Sequence, residues 1–505
     1  MTRAWVREPA GWLAAVAVSL ITAATVASSA RAELVFRDGD SVVVAMLARS
    51  LLAVEHLDWA MSSVLFLPET AGFTALDALL PLGANGLFAA SAVMNLLALY
   101  GAIRLVAGRS RPGTAPVAWS VTALAVFAVL AMTETSPSRD ALELASLPLT
   151  TTYYSATVIA VVLAIGIVRR MLDRETRSPR ALVSLVSLVS LGAVASLATL
   201  SNPLFAVWAT LPLSVVLLVF ARRAPRRSLV LTLLGVLVGA TAIGVIARIP
   251  FAAWIANTGA GYAQPELWHQ SIEYYGRLLG ERLATPLGPV WMLIIAALMV
   301  LAAALSARAS GSGARVVAAT AWVAPLIVVV GAVALGTHAA RYLQPVVFVP
   351  ILALVAVPRV VMLPNRLRRP AAAIAAVLLV VAGGLSIPRL VDAAQQPDDD
   401  LACVTDWVDA SGRTGAGQFW SVRLPKLHLE DPSQLVQVDH RLNGYAWLVN
   451  RTDFAVGEVS FLVKDSQTVQ WDLPRSAVPD EVVDCGRYSI LDFGTASLPL
   501  GPAHS

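Results

Sequence analysis

The chain has 505 residues, 57% of them hydrophobic and only 14% charged, with a mean hydropathy of +0.70. A water-soluble fold cannot wet its surface from that composition, so the solvent for most of the chain is lipid. The net charge is a modest +4, and Arg outnumbers Lys 35 to 2, a bias of the kind GC-rich coding produces, so the placement of charge says more than its sum.

Eleven apolar stretches have roughly the 17–25 residue length a helix needs to cross a bilayer. They are Gly11 to Ala30, Ala84 to Ala107, Ala115 to Met132, Tyr154 to Val168, Ala181 to Leu200, Leu204 to Ala221, Ser228 to Ala247, Pro289 to Ala307, Val316 to Leu335, Leu343 to Val357 and Ala371 to Ile387. None shows the in-out alternation of a lipid-facing barrel strand. The expected fold is therefore an α-helical polytopic membrane protein of a bacterial-type plasma membrane.

Alternate joints collect the arginines: Arg104, Arg109 and Arg111; Arg169, Arg170, Arg174, Arg177 and Arg180; Arg222, Arg223, Arg226 and Arg227; Arg359, Arg366, Arg368 and Arg369. The positive-inside rule then puts the N-terminus in the cytoplasm and the acidic joints, all six histidines and everything from Pro388 onward outside. The only cysteines, Cys403 and Cys485, share that outer segment, where oxidation permits a disulfide; two free thiols are the alternative. Arg3 and Arg7 ahead of the first stretch, with Ala30-Arg31-Ala32 behind it, resemble a signal peptide and its cleavage site, but the apolar length favours retention.

Three outer loops are expected, over residues 31–83, 133–152 and 248–288. In the first, Ser41 to Glu55 reads as a helix lying along the membrane surface, preceded by Asp38-Gly39-Asp40, with Glu69 further on. The second carries Glu134, Asp140 and Glu143 before SLPLTTTYY. The third mixes Trp268, His269, Glu273, Tyr274 and Tyr275, as suits a second interfacial helix. Ser184 and Ser187, three apart, read as a helix-packing seam.

Domain division falls near residue 388, with a transmembrane domain before it and a small extracytoplasmic α/β or α+β domain over 389–505. There Asp399 to Ala410 reads as helix and Leu435 to His440, Val459 to Val463 and Thr468 to Leu473 as strands, with Trp407, Trp420, Trp447 and Trp471 available for a core. The sequon Asn450-Arg451-Thr452 reads as incidental.

Carboxylates at span ends need a reason. Asp40 has two readings, N-cap of the following helix and general base for a hydroxyl acceptor, with Asp38 beside it and Glu143 as the second carboxylate of the site. Arg341, flanked by His338 and Tyr342, is placed to hold a lipid phosphate, against the plainer reading of snorkelling. Glu69, Glu134, Asp140, His269, Tyr274 and Tyr275 complete the candidate substrate loops. The cofactor stays open, with a divalent metal (Mg2+ or Mn2+) as the candidate. A Walker phosphate loop, a dinucleotide fingerprint, a Cys-x-x-Cys pair and a Gly-x-Ser-x-Gly elbow are all missing from the sequence, which weighs against ATP-driven transport by this chain alone.

This layout resembles the GT-C superfamily of membrane glycosyltransferases over Met1 to about Pro388: a first span, a long loop with Asp38-Gly39-Asp40 and a juxtamembrane helix, an acid-bearing second loop, and a late span opening Ala340-Arg341-Tyr342-Leu343-Gln344-Pro345. The resemblance implies transfer of a sugar from a polyprenyl-phosphate carrier to a glycan, lipid or protein acceptor of the cell envelope, with membrane lipid and no nucleic acid among the partners, and the first-loop acid as catalytic residue. The chain departs from the family in lacking an adjacent Asp-Glu pair in the first loop and a histidine beside the second-loop acid. Two other classes compete: a non-catalytic envelope assembly protein and a lipid or solute transporter, the latter disfavoured by spans almost free of ionisable groups.

Overall fold

The computed structural model describes residues 2–174, 181–360, 364–473 and 477–505. Arg177 and Arg180 lie outside them, and so do the side chains of Arg3, Arg366, Arg368 and Arg369. The chain divides into two compact units. One comprises Met1–Ala32, Ala89–Ile249 and Ala260–Ala393, and the other Glu33–Phe88, Pro250–Gly259 and Ala394–Ser505. The inclusion of the first loop in the second unit was not foreseen.

Among the described residues, eight helices are long and apolar enough to cross a membrane: Val6–Ala27, Ala84–Val106, Ser155–Leu172, Ser184–Ser201, Arg227–Phe251, Gly288–Arg308, Ser312–Ala334 and Ala372–Ala394. The other three apolar stretches lie in shorter helices, Pro116–Met132, Ala206–Ala221 and Ala340–Ala356, the last broken into short helical turns. Large apolar side chains stand outward along these helices: Val300 and Val380 are 70% exposed, and Leu293 and Leu385 69%. Water would not tolerate such a surface and lipid does, so the helical unit is membrane-embedded.

Small residues let the helices approach. Gly244 leaves so little room that a Cβ there would lie 2.5 Å from the Ser196 carbonyl oxygen, and Ser196 Oγ donates to the Ala240 carbonyl at 2.9 Å. A close seam thus runs through Ser196 and Gly244; of the two serines expected at a seam, Ser184 accepts from Arg174 Nη1 at 3.1 Å.

Arginine-bearing joints gather at one end of this unit. Arg169 Nη1 donates to the carbonyls of Val106 and of Val355 (2.6 Å to the latter), Arg111 Nη2 to that of Asp173 (3.2 Å), Arg226 Nη1 to that of Arg174, and Ala115 N to that of Pro358 (2.8 Å). Helix Pro116–Met132 leads away from that end to the loop with Glu134, Asp140 and Glu143, and helix Ser155–Leu172 returns. At 1.5 Å per residue, this puts basic and acidic joints roughly 25 Å apart.

The second unit is built on a five-stranded sheet, in the order Leu435–Gln437, Gly415–Gly417, Phe461–Lys464, Tyr488–Asp492, Glu481–Cys485; the first two pairings are parallel and the last two antiparallel. Gly415 is obligatory, since any Cβ there would sit 2.1 Å from the Phe461 ring. Helices Asp399–Ser411 and Phe419–His428 supply Val404, Val408 and Val422 to one apolar core with Leu435, Phe461 and Ile490. Of the four tryptophans, Trp407 and Trp471, both partly buried, pack against these cores, which are otherwise mostly aliphatic with Phe461, Tyr488 and Phe493. Cys403 and Cys485 form a disulfide, joining the helix Asp399–Ser411 to an edge strand with Cα atoms 5.6 Å apart.

The expected strand Thr468 to Leu473 is irregular. The Gln418 side chain takes the backbone of Val469, accepting from its N at 2.8 Å and donating to its O at 2.7 Å, and Asp472 N donates to His440 O at 2.9 Å. Residues of the first loop join this unit through Trp59–Ala60, antiparallel to Val449–Asn450, and through Arg451 Nη1, which donates to Asp58 Oδ1 at 2.8 Å. The expected surface helix forms over Val42–Leu52, but Val42 to Ala48 are buried on every side, so it is a core helix and not one lying on a membrane.

Candidate functional site

In the helical unit, five of the residues singled out from the sequence, Asp140, Tyr274, Tyr275, His338 and Tyr342, come together around Arg341. Its Nη1 lies 3.2 Å from Asp140 Oδ1, its Nε donates to Tyr154 Oη at 3.3 Å, and its guanidinium sits 5.6 Å from the centre of the Tyr342 ring. Tyr274 packs edge-on against His338 (5.5 Å) and Tyr275 (5.1 Å), and Tyr275 Oη pairs with Thr337 Oγ1 at 2.7 Å. Burial raises the phenol pKa of both Tyr274 and Tyr275; for Tyr274, the nearby Asp140 carboxylate acts in the same direction and Arg341 opposes it.

Local sequence explains the positioning. Ala340–Leu343 is a tight 3-10 turn that stops at Pro345, presenting Arg341 where an apolar segment begins. Tyr154 was not singled out from the sequence beyond its place in SLPLTTTYY. It caps helix Ser155–Leu172 in a left-handed conformation (φ 68°), costly for a non-glycine residue, and packs against Trp208 at 5.8 Å. Arg341 remains partly exposed at 20% and Asp140 at 46%, so a ligand can reach the pair.

Glu134 and Glu143 occupy a different place from the one their loop suggested. Glu143 Oε2 accepts from the backbone N–H groups of Thr135 and Ser136, both at 2.7 Å, while Oε1 accepts from Arg282 Nη1 at 2.7 Å. Glu134 accepts from Ala145 N (2.7 Å), Ser146 N (2.8 Å) and Ser146 Oγ (2.6 Å), and faces Arg31 at 3.5 Å. Arg31 also donates to the carbonyls of Ser136, Ser138 and Glu143. Burial raises the Glu134 carboxyl and lowers the Arg31 guanidinium, and their mutual attraction opposes both. Both oxygens of Glu143, expected as the second carboxylate of the site, are committed to fastening the loop that carries Asp140.

His269 stands apart, stacked on Trp268 with ring centres 3.5 Å apart. Trp268 and Ile272 form, with Val329, Val330, Val333 and Ala334, an open apolar groove of about 470 Å³.

The first-loop acids belong to the second unit. Asp38 Oδ2 accepts from Ser41 N at 3.0 Å, directly ahead of helix Val42–Leu52. Both carboxylates are half-buried and lie within electrostatic reach of Arg423, a fully buried residue that the sequence did not flag. Arg423 Nε donates to Gly39 O at 2.7 Å, and Nη1 to Gln437 Oε1 at 3.3 Å and to the Leu448 carbonyl. Burial holds this guanidinium down to about 10, with Asp40 the strongest opposing influence, and it stays charged at neutral pH. Glu69 lies in the first turn of helix Leu67–Leu79, where the helix dipole favours a negative charge.

Among the described residues no three His, Cys, Asp or Glu side chains gather closely enough to hold a metal ion, so no metal site is assigned. Compared with family models and with curated proteins, the chain matches no model and no protein.

Proposed function

We propose that this chain is a membrane glycosyltransferase-like enzyme of the GT-C type, taking a sugar from a polyprenyl-phosphate carrier and passing it to a cell-envelope acceptor on the outer face of a plasma membrane. In this reading all eleven apolar segments span, the N-terminus is cytoplasmic, and the acidic joints and residues 389–505 face outward. The observation that carries it is the partly exposed Arg341 at the start of an apolar segment, paired with Asp140 and ringed by Tyr154, Tyr274, Tyr342 and His338.

A guanidinium at that level suits a phosphate whose hydrocarbon lies in lipid, because two or more N–H donors can meet its oxygens at once. In the transfer, the acceptor hydroxyl gives its proton to a carboxylate, its oxygen bonds to the anomeric carbon, and the sugar–phosphate C–O bond breaks to release polyprenyl phosphate. Negative charge grows on the leaving phosphate, so a cation there favours the transition state over the bound donor. The resemblance nominates Asp40, with Asp38 beside it, as the base.

The test uses purified full-length protein in liposomes with a polyprenyl-phosphate sugar. R341Q is expected to lose retention of the lipid in native mass spectrometry at an unchanged melting temperature. D140N removes an anion that competes for Arg341 and is expected to tighten retention, while a D38N/D40N variant keeps binding and loses turnover. Retention by R341Q equal to that of the unaltered protein would falsify the phosphate assignment, and full turnover by D38N/D40N would remove the base.

A further inference from the structure

At the arginine-bearing end of the helical unit, helix Ala84–Val106 ends against helix Ser155–Leu172. A Cβ on Gly166 would lie 3.1 Å from Val106 N, and Arg170 Nε donates to Leu105 O at 3.4 Å. This contact brings like charges together: Arg170 lies within electrostatic reach of Arg104, Arg109 and Arg169, and Glu8, the weakest of these influences, opposes them. Two carboxylates answer them. Glu8 takes the Nε (3.1 Å) and Nη2 of Arg104, and Asp173 takes Arg169 Nε at 3.2 Å. Among the described residues no carboxylate pairs with Arg109 or Arg170.

Such clustering is unfavourable without an anion, most of all beside lipid, where less water screens it. We propose that Arg109 and Arg170, with Arg104 beside them, bind the phosphate of an anionic glycerophospholipid. The position selects a lipid over a soluble anion. Arg170 belongs to the last turn of a span and is half-buried against the neighbouring helix, while Arg109 is exposed just past the end of the other helix, so the two bracket the level at which headgroup phosphates lie. This site is at the opposite end of the helical unit from Arg341 and stands whether or not sugar transfer does.

The experiment takes delipidated full-length protein in detergent and measures, by native mass spectrometry, retention of phosphatidylglycerol, phosphatidylcholine and inorganic phosphate. Phosphatidylglycerol is expected to be retained over phosphatidylcholine, and R109Q and R170Q each to weaken that retention about fivefold. R441Q, an exposed arginine of the other unit, should leave it unchanged. Equal retention of the two lipids, or undiminished phosphatidylglycerol binding by R109Q, overturns the proposal; so does displacement of the lipid by equimolar inorganic phosphate, which would make this a soluble-anion site. If R170Q does not fold, the exposed Arg109 carries the test alone.

Discussion

Arg282 Nη1 donates to Glu143 Oε1 at 2.7 Å, and the two side chains are 1% and 2% exposed. The pair joins helix Trp268–Ala284 to the loop that carries Asp140, and Arg282 Nη2 adds a 2.9 Å bond to Thr133 Oγ1. Breaking such a pair from one side leaves a buried charge uncompensated, which costs roughly 3–5 kcal/mol. E143Q should also weaken the acceptor of the Thr135 and Ser136 N–H groups. Both E143Q and R282Q are therefore expected to melt well below the unaltered protein in detergent, and the double variant E143Q/R282M to recover part of the loss, a coupling that a double-mutant cycle reads directly. Single variants that melt at the unaltered temperature would show that the pair does not hold the loop.

The disulfide closes 82 residues of chain in the second unit. Constraining a loop of that length removes denatured-state entropy equivalent to about 4.5 kcal/mol in the chain-entropy treatment. Reduction of the full-length protein, or C403S/C485S, should lower the unfolding temperature of the second unit, followed by the fluorescence of Trp407, which packs against the same core as Cys485. Loss of that tryptophan signal at the same temperature with and without reductant would mean that the helix Asp399–Ser411 is held by packing alone.

The sequence made the apolar stretches legible because a bilayer demands long runs of one character, and Arg341 legible because a lone cation abutting a span is rare. Tyr274, Tyr275, His338 and Asp140 could be singled out one by one, but not their convergence. Arg282 meets Glu143 across 139 positions and Arg31 reaches Ser146 across 115, and nothing local marks such partners. The setting of Glu134 and Glu143 was hidden for a related reason: a loop carboxylate reads the same whether it faces substrate or accepts backbone N–H groups. Arg423 was invisible because a basic residue in a short helix ordinarily points to water, whereas here Gly39, Gln437 and Leu448 supply its acceptors.

Asp492 gives the second unit a defined response to acid. Arg413 grips it with two parallel bonds of 2.8 Å, Nη1 to Oδ1 and Nη2 to Oδ2, and Gly494 N adds a third at 2.9 Å. These bonds, the Arg413 pair above all, hold the carboxyl below its ordinary value. The folded state then binds fewer protons than the unfolded state between the two pKa values, so the stabilisation is complete above the unfolded carboxylate value of about 3.9 and is lost as pH falls through the lower, folded one. Partial exposure of Arg413 limits the effect to about 1 kcal/mol. Melting of the full-length protein from pH 7 to pH 3 should show D492N less stable than the unaltered protein at neutral pH, with the gap closing below pH 4. A gap that stays constant across that range would mean that the Asp492 carboxylate is not what Arg413 stabilises.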